Sequence, residues 1–387
     1  MSEIKVNSIK GVSATTPAVT INNTDGTCTA NFTNNLSNRN LIINGAMQVC
    51  QRGNQTGIST AANNYVTDRF SIYENGGAAY SGLHQDSGST LPEFPKCLRA
   101  DCTTASTYSG THESKIAYYF EGQDLQLLQY GTANNKKVTL SFYVRSNQAA
   151  TYAVWFYRGT GSRQNGKTYT INSANTWEKK TITIDGDSTS TINNDNLSSM
   201  RIEWILMAGS DFKSGTNPNG TWEALTNANR YVGHTATIGA STDDYFDITG
   251  VQLEVDHTGS GVATDFEHRS FAQELELCKR YFQLIGESGK FSGHVAYYRN
   301  TSVEMQVAFF PQMRAIPTFT ATSGSNYYYF YRQTTFDVFN AWTDLGAMGA
   351  KGGAVYSSES DVAVTDTGIA GAIYFNTGGQ LFFNAEL

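Results

Sequence analysis

Apolar residues in this chain recur at every second position far more often than at every third or fourth, and that spacing predicts strands. In KVTLSFYVRS, Val138, Leu140, Phe142 and Val144 fall on one face, while Lys137, Thr139, Ser141, Tyr143 and Arg145 fall on the other. This is the pattern of an antiparallel strand covered on one side. The segments TYAVWFYRG, WEKKTITID, MRIEWILMAGS and YFDITGVQLEV repeat it between turn residues, so residues 40–269 are expected to form a β-sandwich of the jelly-roll kind. A short helical turn is expected at Leu125 to Gln129.

One stretch follows helical spacing instead. SFAQELELCKRYF offers Ser270 as N-cap and Gln273 as its capping-box partner, with Phe271, Leu275, Cys278 and Phe282 on one stripe. It predicts a connector helix within residues 270–284. Beyond it, HVAYYRN, SVEMQVAFF, PTFTATS, NYYYFYRQ, AIYFNTGG and QLFFNAEL predict a second antiparallel set, a C-terminal β-sandwich over residues 285–387. Residues 1–39 carry only the isolated apolar positions Ile4, Val6, Ile9, Val19, Ile21 and Phe32, broken at Lys10-Gly11 and Asp25-Gly26. Such a leader cannot bury a core alone. It is either a disordered tail or a set of strands paired with sister copies or another protein, and the strand spacing of Val19 and Ile21 favours pairing.

Composition agrees with an all-β chain: 36 Gly, 22 Tyr and 21 Phe against only 16% charged residues favour short strands and tight turns. A net charge of −7 with no basic run removes the term that dominates nucleic-acid binding, so no nucleic-acid partner is expected. No stretch reaches the roughly 18 apolar residues of a membrane helix, and the first residues lack a signal-peptide pattern, so cytosolic synthesis without membrane insertion is expected. The 5 cysteines, Cys28, Cys50, Cys97, Cys102 and Cys278, are scattered and read as small buried hydrophobes; no metal or cofactor is expected.

Several motifs invite chemistry. GSRQNGKT, Gly161 to Thr168, satisfies the phosphate-loop spacing, yet such a loop needs a helix directly after Lys167, and the following TYTINSANTW alternates like a strand. The match is read as a hairpin loop. The acidic run STDDYFDITG, with Asp243, Asp244 and Asp247, lacks the regularity of a calcium loop and leaves calcium binding open. The 6 histidines are dispersed, and no paired carboxylates or nucleophile elbow stand out, so no catalytic residue is assigned. The run NYYYFYRQ is more informative, because a strand presents its rings on both faces at once. One face belongs to the core. The other fits a glycan surface or a subunit interface equally well, since tyrosine serves both. The expected contact residues are Tyr327, Tyr329, Tyr331, Arg332 and Trp342.

As a set, NLIINGAMQVCQRG, YVTDRFSIY, FEGQDLQLL, VTLSFYVRSN, NTWEKKTITIDGD, DDYFDITGVQLEV, ATDFEHRSFAQELELCKRYF and FFPQMRAIPTFT resemble tail-fibre or virion-appendage proteins of tailed bacteriophages, of the marine and freshwater type that includes cyanophages. The resemblance runs from about Asn40 to Thr320. SEIKVNSIKG, followed by PAVTINNTDGT, is similar to the leader with which such fibres attach to the particle. The resemblance implies a galactose-binding-like jelly roll, a helical connector and a distal C-terminal β domain, assembled as a homotrimer. It also implies a virion location, a partner virion protein held through residues 1–39, and host cell-surface polysaccharide as the target of a non-enzymatic adhesin. A purely architectural decoration of capsid, neck or tail is the alternative, and a polysaccharide depolymerase a further one. No sugar-contact motif of that family carries over residue by residue.

Overall fold

The computed structural model describes residues 38–216, 219–256, 259–299, 302–332, 335–344, 346, 348–358 and 369–387, with residues 6–9, 12, 19–22, 24, 26 and 28–30 of the leader. Nearly all regular structure is antiparallel β, as the alternation predicts.

Two sheets face each other between Gln55 and Val255. One has six strands in the spatial order Glu178–Ile184, Val138–Ser146, Tyr245–Val255, Lys96–Thr104, Ala79–Asp86 and Gln55–Ile58. Its partner has seven: Glu223–Ala224, Arg163–Thr170, Thr151–Arg158, Ser198–Ala208, Glu113–Glu121, Phe70–Glu74 and Asn64–Tyr65. Alternate residues of both sheets meet in one core, where Trp204, Phe142, Phe70 and Tyr118 interlock. Val138, Leu140, Phe142 and Val144 all point into it. Their strand is not half-covered, however: Thr139 and Ser141 on its other face are buried as well. The neighbouring strand's Gln252 and Glu254 hydrogen-bond Thr264, and Gln252 also receives the Glu267 amide, which lays that segment over the sheet.

The phosphate-loop look-alike is mostly strand. Gly161 and Ser162, with φ of +76° and +46°, make the turn, while Arg163–Thr170 pairs with Thr151–Arg158 and sets Lys167 opposite Val154. The hairpin loop is therefore confined to the first residues of the motif, and no helix follows. A 3₁₀ helix, Gly122–Leu128, stands where a helical turn was expected.

The connector helix is Phe271–Lys279, with both halves of the Ser270–Gln273 capping box formed. Its predicted stripe needs correction. Cys278 is buried, but Phe271 is 56% exposed and Phe282 already belongs to the next strand. Glu274 faces inward in their place, where its carboxylate accepts the Asn44 amide and Arg269. A paired carboxylate has displaced an apolar residue from the buried face.

After the helix, a three-stranded sheet (Phe282–Gly286, Leu381–Asn384, Thr318–Ala321) and a seven-stranded sheet enclose a second core. The larger sheet runs Thr335–Phe339, Tyr328–Arg332, Ala370–Phe375, Lys290–Arg299, Ser302–Ala308, Gly352–Ser357 and Thr343–Asp344. The two β bodies are joined through polar contacts. Arg280 grips Glu121 with two hydrogen bonds of 2.9 and 2.8 Å, Arg69 pairs with Glu386, and Arg314 and Asn196 exchange hydrogen bonds of 2.6 Å.

In the leader, Ser8–Ile9, Val19–Ile21 and Cys28–Ala30 pair with one another. The edges of Val19–Ile21 are thus met within the chain, and not by the outside strands that the sequence led us to expect. Ile4, Phe32, Lys10-Gly11 and Asp25 lie outside the described residues.

Candidate functional site

The seven-stranded sheet of the C-terminal body has an aromatic outer face, built by simple alternation. Within Tyr328–Arg332, Tyr328 and Phe330 turn inward and are fully buried, so Tyr329 and Tyr331 turn outward. Strand register then gathers more rings. Tyr329 lies opposite Tyr374, Tyr374 opposite Phe291, and Tyr331 opposite Phe336. Ala372 lies opposite Tyr331.

The rings touch as a connected group. Tyr329 stacks on Tyr374 at 6.0 Å and 21°, and Phe336 meets Tyr329 and Tyr331 at 5.2 and 5.3 Å. Phe291 lies 5.0 Å from Tyr374 and 5.4 Å from Tyr331. Three of the five are open to solvent: Phe291 is 59% exposed, Phe336 51% and Tyr331 37%. Contiguous exposed apolar surface of this kind marks a binding surface. Asn376 donates to the Tyr329 hydroxyl at 3.3 Å and to the Asn326 carbonyl at 3.0 Å, placing a carboxamide at the rim.

The structure brings together only two of the five expected contact residues, Tyr329 and Tyr331. Trp342, just before the Thr343–Asp344 strand, is buried in the second core against Tyr328 and Phe339. Arg332 falls one residue past Tyr331 and hence on the opposite side of the sheet. There it grips Asp337 through hydrogen bonds of 2.7 and 3.1 Å. Tyr327 precedes the strand and packs beside the core, its ring lying where a β-carbon on Gly324 or Gly378 would sit. The three residues that sequence reasoning missed, Phe291, Phe336 and Tyr374, come from three other strands. The pairing of Tyr331 with Phe336 lies between segments close in sequence, but Phe291 and Tyr374 required the register.

The other motifs are spent on structure. Asp247 accepts Arg99 at 2.7 and 2.9 Å and Arg145 at 2.8 Å. Asp244 receives the Gly239 and Ser241 amides together with the side chains of Asn147 and Gln148. Among the described residues no group of three or more His, Cys, Asp or Glu side chains is placed to hold a metal ion. Cys50, Cys97, Cys102 and Cys278 are free thiols, and burial raises their pKa, Cys50 to about 11 and Cys97 to about 12. None is a poised nucleophile.

No family model matches this chain, and no curated protein matches it. Among solved structures it is similar to the enzymatically active domain of tailspike protein 4 of bacteriophage CBA120, at 9% identity and a TM-score of 0.31, over 56% of this chain and 21% of that one. The chain therefore spans about a fifth of the tailspike's length. It is also similar to a family 4 carbohydrate-binding module (14% identity, TM-score 0.28, 55% of this chain and 98% of that one). A family 11 carbohydrate-binding module of a Clostridium thermocellum cellulase is another, at 13% identity and a TM-score of 0.27, over 56% of this chain and 98% of that one.

Proposed function

We propose that this chain is a non-enzymatic appendage protein of a tailed bacteriophage, and that the aromatic face of its C-terminal sheet adheres to glycan on the host surface. One observation carries the reading: five neighbouring rings, three of them open to solvent, cover a sheet face whose two sides differ sharply in burial. A sugar ring has an apolar face that stacks on Tyr or Phe and a belt of hydroxyls that phenols and carboxamides can bond. Tyr329, Tyr331, Tyr374 and Asn376 supply both. The resemblance of the motif set to phage fibres supports the virion location, and residues 1–39 are assigned to attachment on the particle.

The assembly is read as a homotrimer. Stacking at an exposed ring is weak, on the order of 0.5–1.5 kcal/mol, but three faces on one particle appendage act together through effective concentration.

Binding of labelled protein to intact bacteria, before and after enzymatic stripping of surface polysaccharide, tests the reading. Retention that depends on the polysaccharide is expected, with about a tenfold loss in Tyr331→Ala. Equal retention by stripped cells would remove the glycan from the account. A light-scattering mass of one chain would remove the trimer.

A further inference from the structure

A second surface, on the sandwich, has the opposite chemistry. The outer face of its seven-stranded sheet carries a cleft of about 390 Å³ whose floor is ionic. Glu203, fully buried, lies 3.1 Å from Lys115, 2.8 Å from Arg201 and 3.5 Å from Arg230. Glu113 takes the other side of Lys115 at 2.8 Å and of Arg230 at 3.1 Å, and the Tyr231 hydroxyl bonds both carboxylates at 2.5 and 3.0 Å. Three cations thus face two carboxylates, a local charge of +1 in a chain whose net charge is −7.

The surplus sits on Arg201. Other arginine forks are occupied, Arg280 by Glu121, Arg332 by Asp337 and Arg314 by the backbone carbonyls of Asn196, Ala385 and Glu386. Arg201 approaches Glu203 side-on, its Nε 2.8 Å from the carboxylate as an ion pair without an aligned hydrogen bond, and its guanidinium hydrogen-bonds to no described residue. Register places it between two tyrosines, Tyr119 on one neighbouring strand and Tyr157 on the other. Its guanidinium carbon lies 4.5 Å from the centre of the Tyr157 ring, and Asn63 holds the Tyr119 hydroxyl at 3.0 Å.

We infer that this cleft binds a carboxylated sugar, a uronate unit of an acidic polysaccharide, with its carboxylate in the open fork of Arg201 and its ring against Tyr119. A planar fork matches a carboxylate through two parallel hydrogen bonds. One monoanion also neutralises a surplus of one. Proton uptake at Glu203 would only enlarge the surplus, and it is disfavoured: burial alone would raise that carboxyl, but Lys115, Arg201 and Arg230 outweigh burial and hold it down at about 2. The site is separate from the aromatic sheet of the other body and stands or falls without it.

The test uses the full chain and calorimetric titration with oligogalacturonate, its carboxyl-reduced counterpart and a sulfated oligosaccharide. The acidic oligomer is expected to bind about tenfold tighter than the reduced one, a difference that raised salt diminishes. Arg201→Gln should abolish that preference, and Arg201→Lys, which keeps the charge and loses the fork, should restore it only in part. Tyr331→Ala should leave it intact. Arg201 is partly exposed, so its variants are expected to fold, and far-ultraviolet circular dichroism with a melting curve verifies this for each. Equal affinity for the acidic and reduced oligomers, including no binding of either, overturns the assignment. So does a preference that survives Arg201→Gln, or tighter binding of the sulfated oligomer.

Discussion

The two surfaces are made by the same device, alternation along strands, and differ in what the outward positions hold. On the C-terminal sheet they hold neutral rings, which satisfy one another by contact and need no further partner. On the sandwich they hold charges, each of which must be matched inside a cleft where water is scarce. The aromatic face can lose a member and keep its fold, since its rings lie outside the core. The ionic face cannot, because removing one partner strands the others. Stability and binding should therefore separate cleanly on the first surface and remain entangled on the second.

Acid gives the largest expected effect and acts on the sandwich. His234 is buried with Nδ1 accepting the Ala153 amide, and burial, reinforced by Lys213, lowers its pKa from 6.5 to about 3. The unfolded chain takes up a proton near pH 6.5 while the folded chain declines it. Stability is therefore whole above about pH 6.5 and falls by about 1.4 kcal/mol for each pH unit down to about 3. Glu203 adds to the loss from about pH 4.5, its ordinary value, down to its folded value of about 2. The sandwich holds Trp155, Trp177, Trp204 and Trp222 of the chain's 5 tryptophans, so fluorescence-detected urea unfolding reports chiefly on it. In His234→Gln the fall between pH 6.5 and 4 should largely vanish. A wild-type midpoint constant over that interval would show that the sandwich carries no such burden.

Glu203→Gln comes next. It leaves Lys115, Arg201 and Arg230 facing Glu113 alone, and the loss of one partner from a buried ionic group costs about 3 kcal/mol. Denaturant unfolding should register this, and the local charge rises from +1 to +2. Protein that remains folded should bind acidic oligomers more tightly than the wild type. A variant as stable as the wild type would erase the proposed difference between the two surfaces.

How legible each surface was follows from the same difference. The strands and the helix cap were readable because alternation and Ser270–Gln273 are local signals. NYYYFYRQ announced an aromatic face for the same reason. Yet it could not tell Tyr331 from Arg332, because adjacent residues point to opposite sides and the choice depends on which side meets the core. Trp342 misled for a similar reason: a tryptophan looks alike in sequence whether it fills a core or faces a ligand. The ionic cleft was invisible. Glu113, Lys115, Arg201, Glu203 and Arg230 come from a loop and from two strands that lie far apart in the sequence, and only the pairing of Glu113–Glu121 with Ser198–Ala208 brings them together. The buried Glu274 was missed because helical periodicity assigns the inward stripe to apolar residues and has no means of foreseeing the Asn44 amide.

The smallest expected change in stability belongs to Tyr331→Ala, and its smallness is informative. Tyr331 is 37% exposed, and it touches Phe291, Phe336, Tyr329 and Tyr374 by ring contact alone. Truncation should cost no more than about 1 kcal/mol in urea unfolding while removing most glycan-dependent retention on cells. Trp342→Ala is the counterpart, since its ring is packed in the second core and its loss should cost about 3–5 kcal/mol. After that loss, retention should fall only as far as the folded fraction falls. If Trp342→Ala, measured on protein shown to be folded, lost retention as Tyr331→Ala does, adhesion would depend on the inner side of the sheet, and the outward rings would have to be read as a contact between subunits.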